Sequence, residues 1–351
     1  MNASSRTFTR LPHALLAAAA LATACATDAP VEPQQAALSA VKNDITADLA
    51  VLASAARAIQ AAAPAADADG WNNTRDAAAV QTMRAEWRRA RAAYEHIEGA
   101  IAVLFAGLDV STDERYDAFL AELPGRRDDN LFDGTGVTGM HAIERILWAD
   151  AHPQRVVTFE RALPGYAAAA FPANATQARD FREGLCARLV SDVTQMQRDF
   201  GPLALDPAAA FRGVIGSMEE QVEKINKAAG GEEESRYAQV TLYDLRNNLE
   251  GARRSWMAFR PWVVSRGGTA LAGTIDARFV AMADRYAMIQ GDAIPAVPEG
   301  WNPDMPTAEQ RMSPFGQLRT FVLEESDDAH EGGLVQQMNL AADMLAIPRL
   351  P

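Results

Sequence analysis

The chain has 351 residues, 48 % hydrophobic and 7 % aromatic, with a formal charge of −13. The length allows two domains or one long one, and the acidic balance argues against nucleic acid and anionic lipid headgroups as partners. Alanine-rich runs broken by Arg and Glu at helical spacing, with little Val, Ile or Thr alternation, predict an all-α protein.

Residues 1–25 read as an export signal. Arg6 and Arg10 form a basic start, Ala14 to Ala22 an apolar run, and Ala22-Thr23-Ala24 precedes Cys25. Leu21 to Cys25 resembles a lipobox, with Cys25 as the lipidated residue. The same Ala22-Thr23-Ala24 also satisfies the ordinary A-x-A cleavage rule. The first reading gives a periplasmic lipoprotein touching the membrane only through its lipid; the second gives a soluble periplasmic protein. Loss of Arg6 and Arg10 makes the mature chain two units more negative. Cys186 is then the remaining thiol, in a helical run, so neither a disulfide framework nor a Cys-based metal site is expected. No later apolar run is expected to reach the length of a membrane span.

Residues 26–35, with Pro30 and Pro33, read as a tether. A first helix is expected over 36–63, stopped by Pro64, and a second over 75–105. On the second, Trp87, Arg91, Tyr94, Glu98, Ile101 and Phe105 alternate at steps of four and three, an inward stripe. Glu98 on that stripe, with Glu95 beside it, is costly to bury unless paired or bound to a cation. A salt bridge from Arg91 competes with the cation for this role. Residues 108–117 read as a long acidic loop, followed by a short helix to Leu123 and a second loop over 124–136.

Gly139 to Trp148 reads as the start of a further helix, capped by Thr138 or Thr135. Met140, Ile143, Ile146 and Leu147 share one face, and His141, Glu144 and Trp148 share another. Trp148 predicts that this second face also meets protein. An imidazole and a carboxylate three residues apart reach one cation from the same side, as Glu-x-x-His does in iron-holding bundles. A structural His–Glu hydrogen bond is the plainer alternative.

Beyond Pro172 a strong helix is expected over 174–200, with a boundary at Gly201-Pro202. Helices then follow over 208–229, 237–266, 271–290 and 307–345. The halves share a faint repeat. Thr112 to Tyr116 resembles Ile275 to Phe279, and Arg91 and Arg254 each precede the Asp of that repeat by 22 residues. Met257, Ala258 and Pro261 replace Tyr94, Glu95 and Glu98 at that offset, so the acidic constellation belongs to the first half.

Together these segments resemble the imelysin-like family, which includes the EfeO and EfeM iron-uptake components. Gly139-Met140-His141-Ala142-Ile143-Glu144 is similar to its G-x-H-x-x-E motif. Tyr94 to Glu98, Phe105 to Arg115 and Asp244 to Ala252 also look like that family. The resemblance implies two packed four-helix-bundle-like halves, here residues 36–202 with the metal site and 203–351 without it. It implies export to the periplasm, iron as the bound metal, and a membrane iron-transport component as partner. The site it implies is Glu95, Glu98, Asp113, His141 and Glu144, with Asp117 an alternative to Asp113.

One imidazole among carboxylates suits iron, zinc or manganese. The family has also been filed among metallopeptidases. Catalytic zinc wants three protein ligands, an open position and a general base, and H-E-x-x-H is absent. An adhesin or polysaccharide-binding lipoprotein is a third reading.

Overall fold

The computed structural model describes residues 32–72, 74–113, 115–122, 128–230 and 232–348. The export signal and Cys25 lie outside the described residues. Among the described residues there is no strand, and residues 32–348 pack as one compact unit.

Helix α1 (Pro33–Ala62) starts on a proline at its first turn and stops at Ala63, before Pro64. Its 30 residues are long and apolar enough to cross a membrane, contrary to the sequence expectation. Its apolar stripe from Ala37 through Val41, Ile45, Leu49 and Leu52 to Ile59 is buried instead. That stripe packs on α2 (Ala77–Glu95) and on two later helices.

The expected second helix is broken. After α2 the chain turns at His96-Ile97 and resumes as α3 (Glu98–Leu104). A helix from the second half crosses at that break: a Cβ on Gly251 would lie 2.1 Å from the His96 carbonyl oxygen. The inward stripe holds as far as Glu98, since Trp87, Arg91, Tyr94 and Glu98 are all buried.

The acidic run after Phe105 is not a solvated loop. It forms α4 (Ala106–Asp113), then α5 (Tyr116–Glu122). The misreading has a physical cause: Asp109 and Asp113 point at buried partners, Tyr94 and Arg91, rather than at water. Next come α6 (Gly139–Leu147) and α7 (Gln154–Arg161). The helix expected over 174–200 is α8 (Ala175–Asp180) and α9 (Cys186–Phe200), joined through one wide turn at Phe181–Leu185.

In the second half, α10 (Pro207–Ala229) is capped by Asp206, which accepts from the Ala208 and Ala209 amides. It is followed by α11 (Thr241–Ser265) and α12 (Thr269–Ala287). The single helix expected over 307–345 is three: α13 (Ala308–Met312), α14 (Pro314–Ser326) and α15 (Leu334–Met344). Ser313 ends the first and caps the second, and Gly332-Gly333 separates the last two. Helix α10 packs on α3 and α11, and α1 packs on α2, α9 and α11, so helices from both halves interleave.

All nine residues of α6 are buried. Trp148, just past its end, is edge-on to Trp87 at 5.1 Å between ring centres, and the Trp87 indole donates to the Met140 carbonyl at 2.9 Å. Both faces of this helix therefore meet protein. Gly139 makes its position possible. The residue has φ +87°, and a Cβ there would sit 2.3 Å from the Thr112 carbonyl. The glycine lets the start of α6 touch the end of α4, which brings His141 up to Asp113.

Gly139→Ala should therefore cost about 1–3 kcal/mol of unfolding free energy in denaturant titration. Gly107→Ala on α4, where nothing lies within 4 Å of the added Cβ, should be neutral or slightly stabilising. Equal stability of both variants would contradict the close α4–α6 contact.

Candidate metal centre

The centre begins with His141. Its Nδ1 lies 2.8 Å from Glu144 Oε2, one turn along α6. The other Glu144 oxygen accepts from the Tyr237 and Ala238 amides at 2.9 and 2.8 Å. Both oxygens are thus committed, and the carboxylate fixes the plane of the ring. Nε2 of His141 faces Asp113 Oδ1 and Glu234 Oε1, each at 3.4 Å.

Asp113, His141 and Glu234 each offer one ligand atom, and the three atoms lie within 4.8 Å of one another. For bonds of about 2.1 Å, tetrahedral ligand atoms sit roughly 3.4 Å apart, so the spacing suits a transition-metal cation. It also suits charge-assisted hydrogen bonds from an imidazolium. Burial alone would lower the His141 pKa, but Asp113, Glu144 and Glu234 hold it well above the ordinary value.

A second triplet, Glu95, Glu98 and Glu234, meets the same distance limit. It is filled by the protein's own cations. Arg91, wholly buried, pairs with Glu95 and Asp113, reaches Glu234 at 3.1 Å, and lies 3.5 Å from Asp244. Lys224 of α10 reaches Glu98 at 2.9 Å, Glu95 at 3.3 Å and Glu234 at 3.5 Å. Asn248 donates to the other oxygen of Glu98 at 3.1 Å.

The carboxylates divide by what surrounds them. Burial opposes ionisation of Glu234, yet Lys224, Lys227, His141 and Arg115 hold it well below the usual range. Asp113 is also lowered, because Arg91 and His141 outweigh its burial. Glu98 goes the other way: burial and the Glu95 carboxylate push it well above the usual range despite Lys224. Burial raises Glu95 too, against Arg91 and Lys224. The centre therefore holds acids kept below their usual range beside acids pushed above it.

A cavity of about 230 Å³ lies against the centre. Its wall carries six carboxylates (Glu98, Asp109, Asp113, Glu220, Glu223 and Glu234) against two cations, Arg115 and Lys227. It reaches the surface at the exposed residues Val110 and Glu223. Such a wall focuses negative potential and draws in cations.

The Imelysin family model, labelled a peptidase, matches residues 45–312. The chain belongs to the imelysin family. It is 28 % identical over 263 residues to the iron uptake system component EfeO of Yersinia pseudotuberculosis, covering 74 % of this chain and 56 % of that protein. It is 28 % identical over 200 residues to EfeO of Escherichia coli K12, covering 57 % of this chain and 42 % of the relative. The chain thus spans about half the length of the curated relatives it matches. An imelysin-like protein from Psychrobacter arcticum has the same fold, with TM-score 0.54 at 11 % identity over 86 % of this chain and 96 % of that one.

Of the residues expected at this imelysin centre, Asp113 and His141 face each other directly. Asp117 does not; it pairs with Arg236 at 2.9 Å. Glu144 is one bond removed, behind the imidazole. Glu95 and Glu98 are gathered around the Lys224 ammonium rather than around His141; the expected Arg91 salt bridge forms with Glu95. Sequence reasoning missed Glu234, which belongs to both triplets, and Lys224. Glu233 and Glu234, just past the Gly230-Gly231 break, are buried. The available signal was the rarity of lysine: the chain has only Lys42, Lys224 and Lys227.

Glu220 supplies a pH test that needs no metal. Burial, with Glu98 second, pushes its carboxyl up to about 8. A carboxyl raised in the folded state destabilises the fold progressively as pH rises from the unfolded value near 4.5 to about 8. Glu220→Gln should therefore stabilise the protein by about 1–3 kcal/mol at pH 8 and by little at pH 4.5. A thermal-melt difference independent of pH would contradict the burial of this acid.

Proposed function

We propose that this imelysin chain is an exported iron-binding protein serving bacterial iron uptake, with the metal as its cargo. The observation that carries the reading is the arrangement of His141. Metal-binding histidines characteristically give their second ring nitrogen to a carboxylate, which fixes ring and tautomer. Glu144 does this to Nδ1, leaving Nε2 aimed at Asp113 and Glu234.

On this reading His141, Asp113 and Glu234 hold the cation, and Glu144 orients the ring. Glu95 and Glu98 form the adjoining acidic pair through which the cation passes between cavity and centre. The donor set is hard to borderline and also accepts manganese or zinc. Similarity to EfeO proteins, named as iron-uptake components, favours iron. Export to the periplasm through residues 1–25, anchoring through lipid on Cys25, a membrane iron-transport partner, and a division into halves at 202/203 complete the proposal.

The test is metal titration with Fe²⁺, Mn²⁺ and Zn²⁺. His141→Ala and Glu234→Ala should each lose at least about tenfold in affinity, of order 1.4 kcal/mol. His330→Ala, at an exposed site, should match the unaltered protein. Equal affinity in all four proteins would overturn the assignment.

The raised His141 and Glu98 values set the pH dependence. Both groups hold protons in the empty protein that a cation must displace, so binding should release protons and affinity should rise from pH 6 to pH 8. Titration calorimetry in two buffers of different ionisation enthalpy measures the release. Affinity flat across that range would argue for a site elsewhere.

A further inference from the structure

We propose that Lys224 is a displaceable counter-ion. In the empty protein its ammonium occupies the passage among Glu95, Glu98 and Glu234 that leads to His141, and it moves to Glu220 when the cargo enters. The proposal rests on the metal reading above and assigns how that site is filled and emptied.

Three observations carry it. First, Lys224 Nζ sits where the second acidic triplet would hold a cation, 2.9, 3.3 and 3.5 Å from three carboxylates, and the side chain is fully buried. Second, the place is imperfectly satisfied: Glu95 Oε2 is buried with no hydrogen-bond partner. A cation with more coordination positions than an ammonium would use that oxygen. Third, a destination exists. Glu220 lies one helical turn before Lys224 on α10, an i, i+4 spacing at which side chains meet. It lines the cavity and makes no hydrogen bond or ion pair among the described residues.

The residue type fits the role. Arg91, beside it, is a planar fork fixed by several carboxylates at once. A lysine is a compact charge on a flexible four-carbon stem, able to pivot from one carboxylate to another without leaving its helix. The charge count follows. As the cation arrives, Lys224 leaves the triplet and pairs with Glu220 at the cavity wall, whose carboxyl gives up its proton to solvent. When the ammonium returns, it competes with the cargo from within the site. Binding is thereby weakened and release hastened, as delivery to a second protein requires.

The test uses Zn²⁺, which undergoes no redox change, and lysine acetylation of the intact protein read by mass spectrometry. With Zn²⁺ bound, Lys224 should label at least about fivefold faster than in the metal-free protein, and Lys42 should label equally in both. In parallel, Lys224→Met should bind Zn²⁺ at least about tenfold more tightly and release it more slowly. Because the labelling uses the unaltered chain, it decides the matter even where K224M does not fold. Zn²⁺ uptake with Lys224 still protected would overturn the counter-ion proposal alone. No Zn²⁺ uptake by the unaltered chain would overturn the metal reading and this proposal with it.

Discussion

The molecule is organised around a buried guanidinium. Arg91 lies among Glu95, Asp113, Glu234 and Asp244 with no exposure to water. Burying so many charges costs several kcal/mol per ion unless each finds partners, and removing one member of such a set typically costs about 3–5 kcal/mol. The partners come from α2, α4, the segment after α10, and α11. Satisfying Arg91 therefore requires both halves to be in place. The same requirement holds α4 as a helix with its acids turned inward and pulls Glu234 out of solvent. The two halves consequently share one polar centre.

That centre is electrostatically divided. Asp113 and Glu234 are held down by neighbouring cations, whereas burial raises Glu95 and Glu98, and the Glu95 carboxylate raises Glu98 further. A purely structural network gains little from acids raised against their will. A site that exchanges a cation with solvent gains from them, because a divalent ion relieves repulsion that an ammonium only partly relieves. On the proposed metal reading, the acidic cavity on the outer side and the imidazole on the inner side give such an ion an entrance and a destination.

Much of this was legible in the sequence. The i, i+3 spacing of His141 and Glu144 gave a shared face, and Trp148 showed that face to be covered. The stripe from Trp87 to Glu98 placed a carboxylate inside, and the 22-residue offset between Arg91 and Asp113 matched a real contact. Spacing along one helix cannot say which oxygen of Glu144 faces which group. The two backbone amides that claim it come from Tyr237 and Ala238, over ninety residues away. Glu234 was illegible for the same reason, since only the fold turns that acidic turn inward. Local composition also misled where tertiary partners override it: the acids of α4 look solvated by sequence, and the final helical stretch carries no strong breaker at Ser313.

The most direct test of the central claim is anomalous diffraction at the iron edge from crystals of the iron-loaded protein. The account predicts one strong peak about 2.0–2.2 Å from His141 Nε2, with Asp113 and Glu234 closing on it and Glu144 still bonded to Nδ1. A peak elsewhere, with His141, Asp113 and Glu234 unmoved around Arg91, would show the buried centre to be structural only.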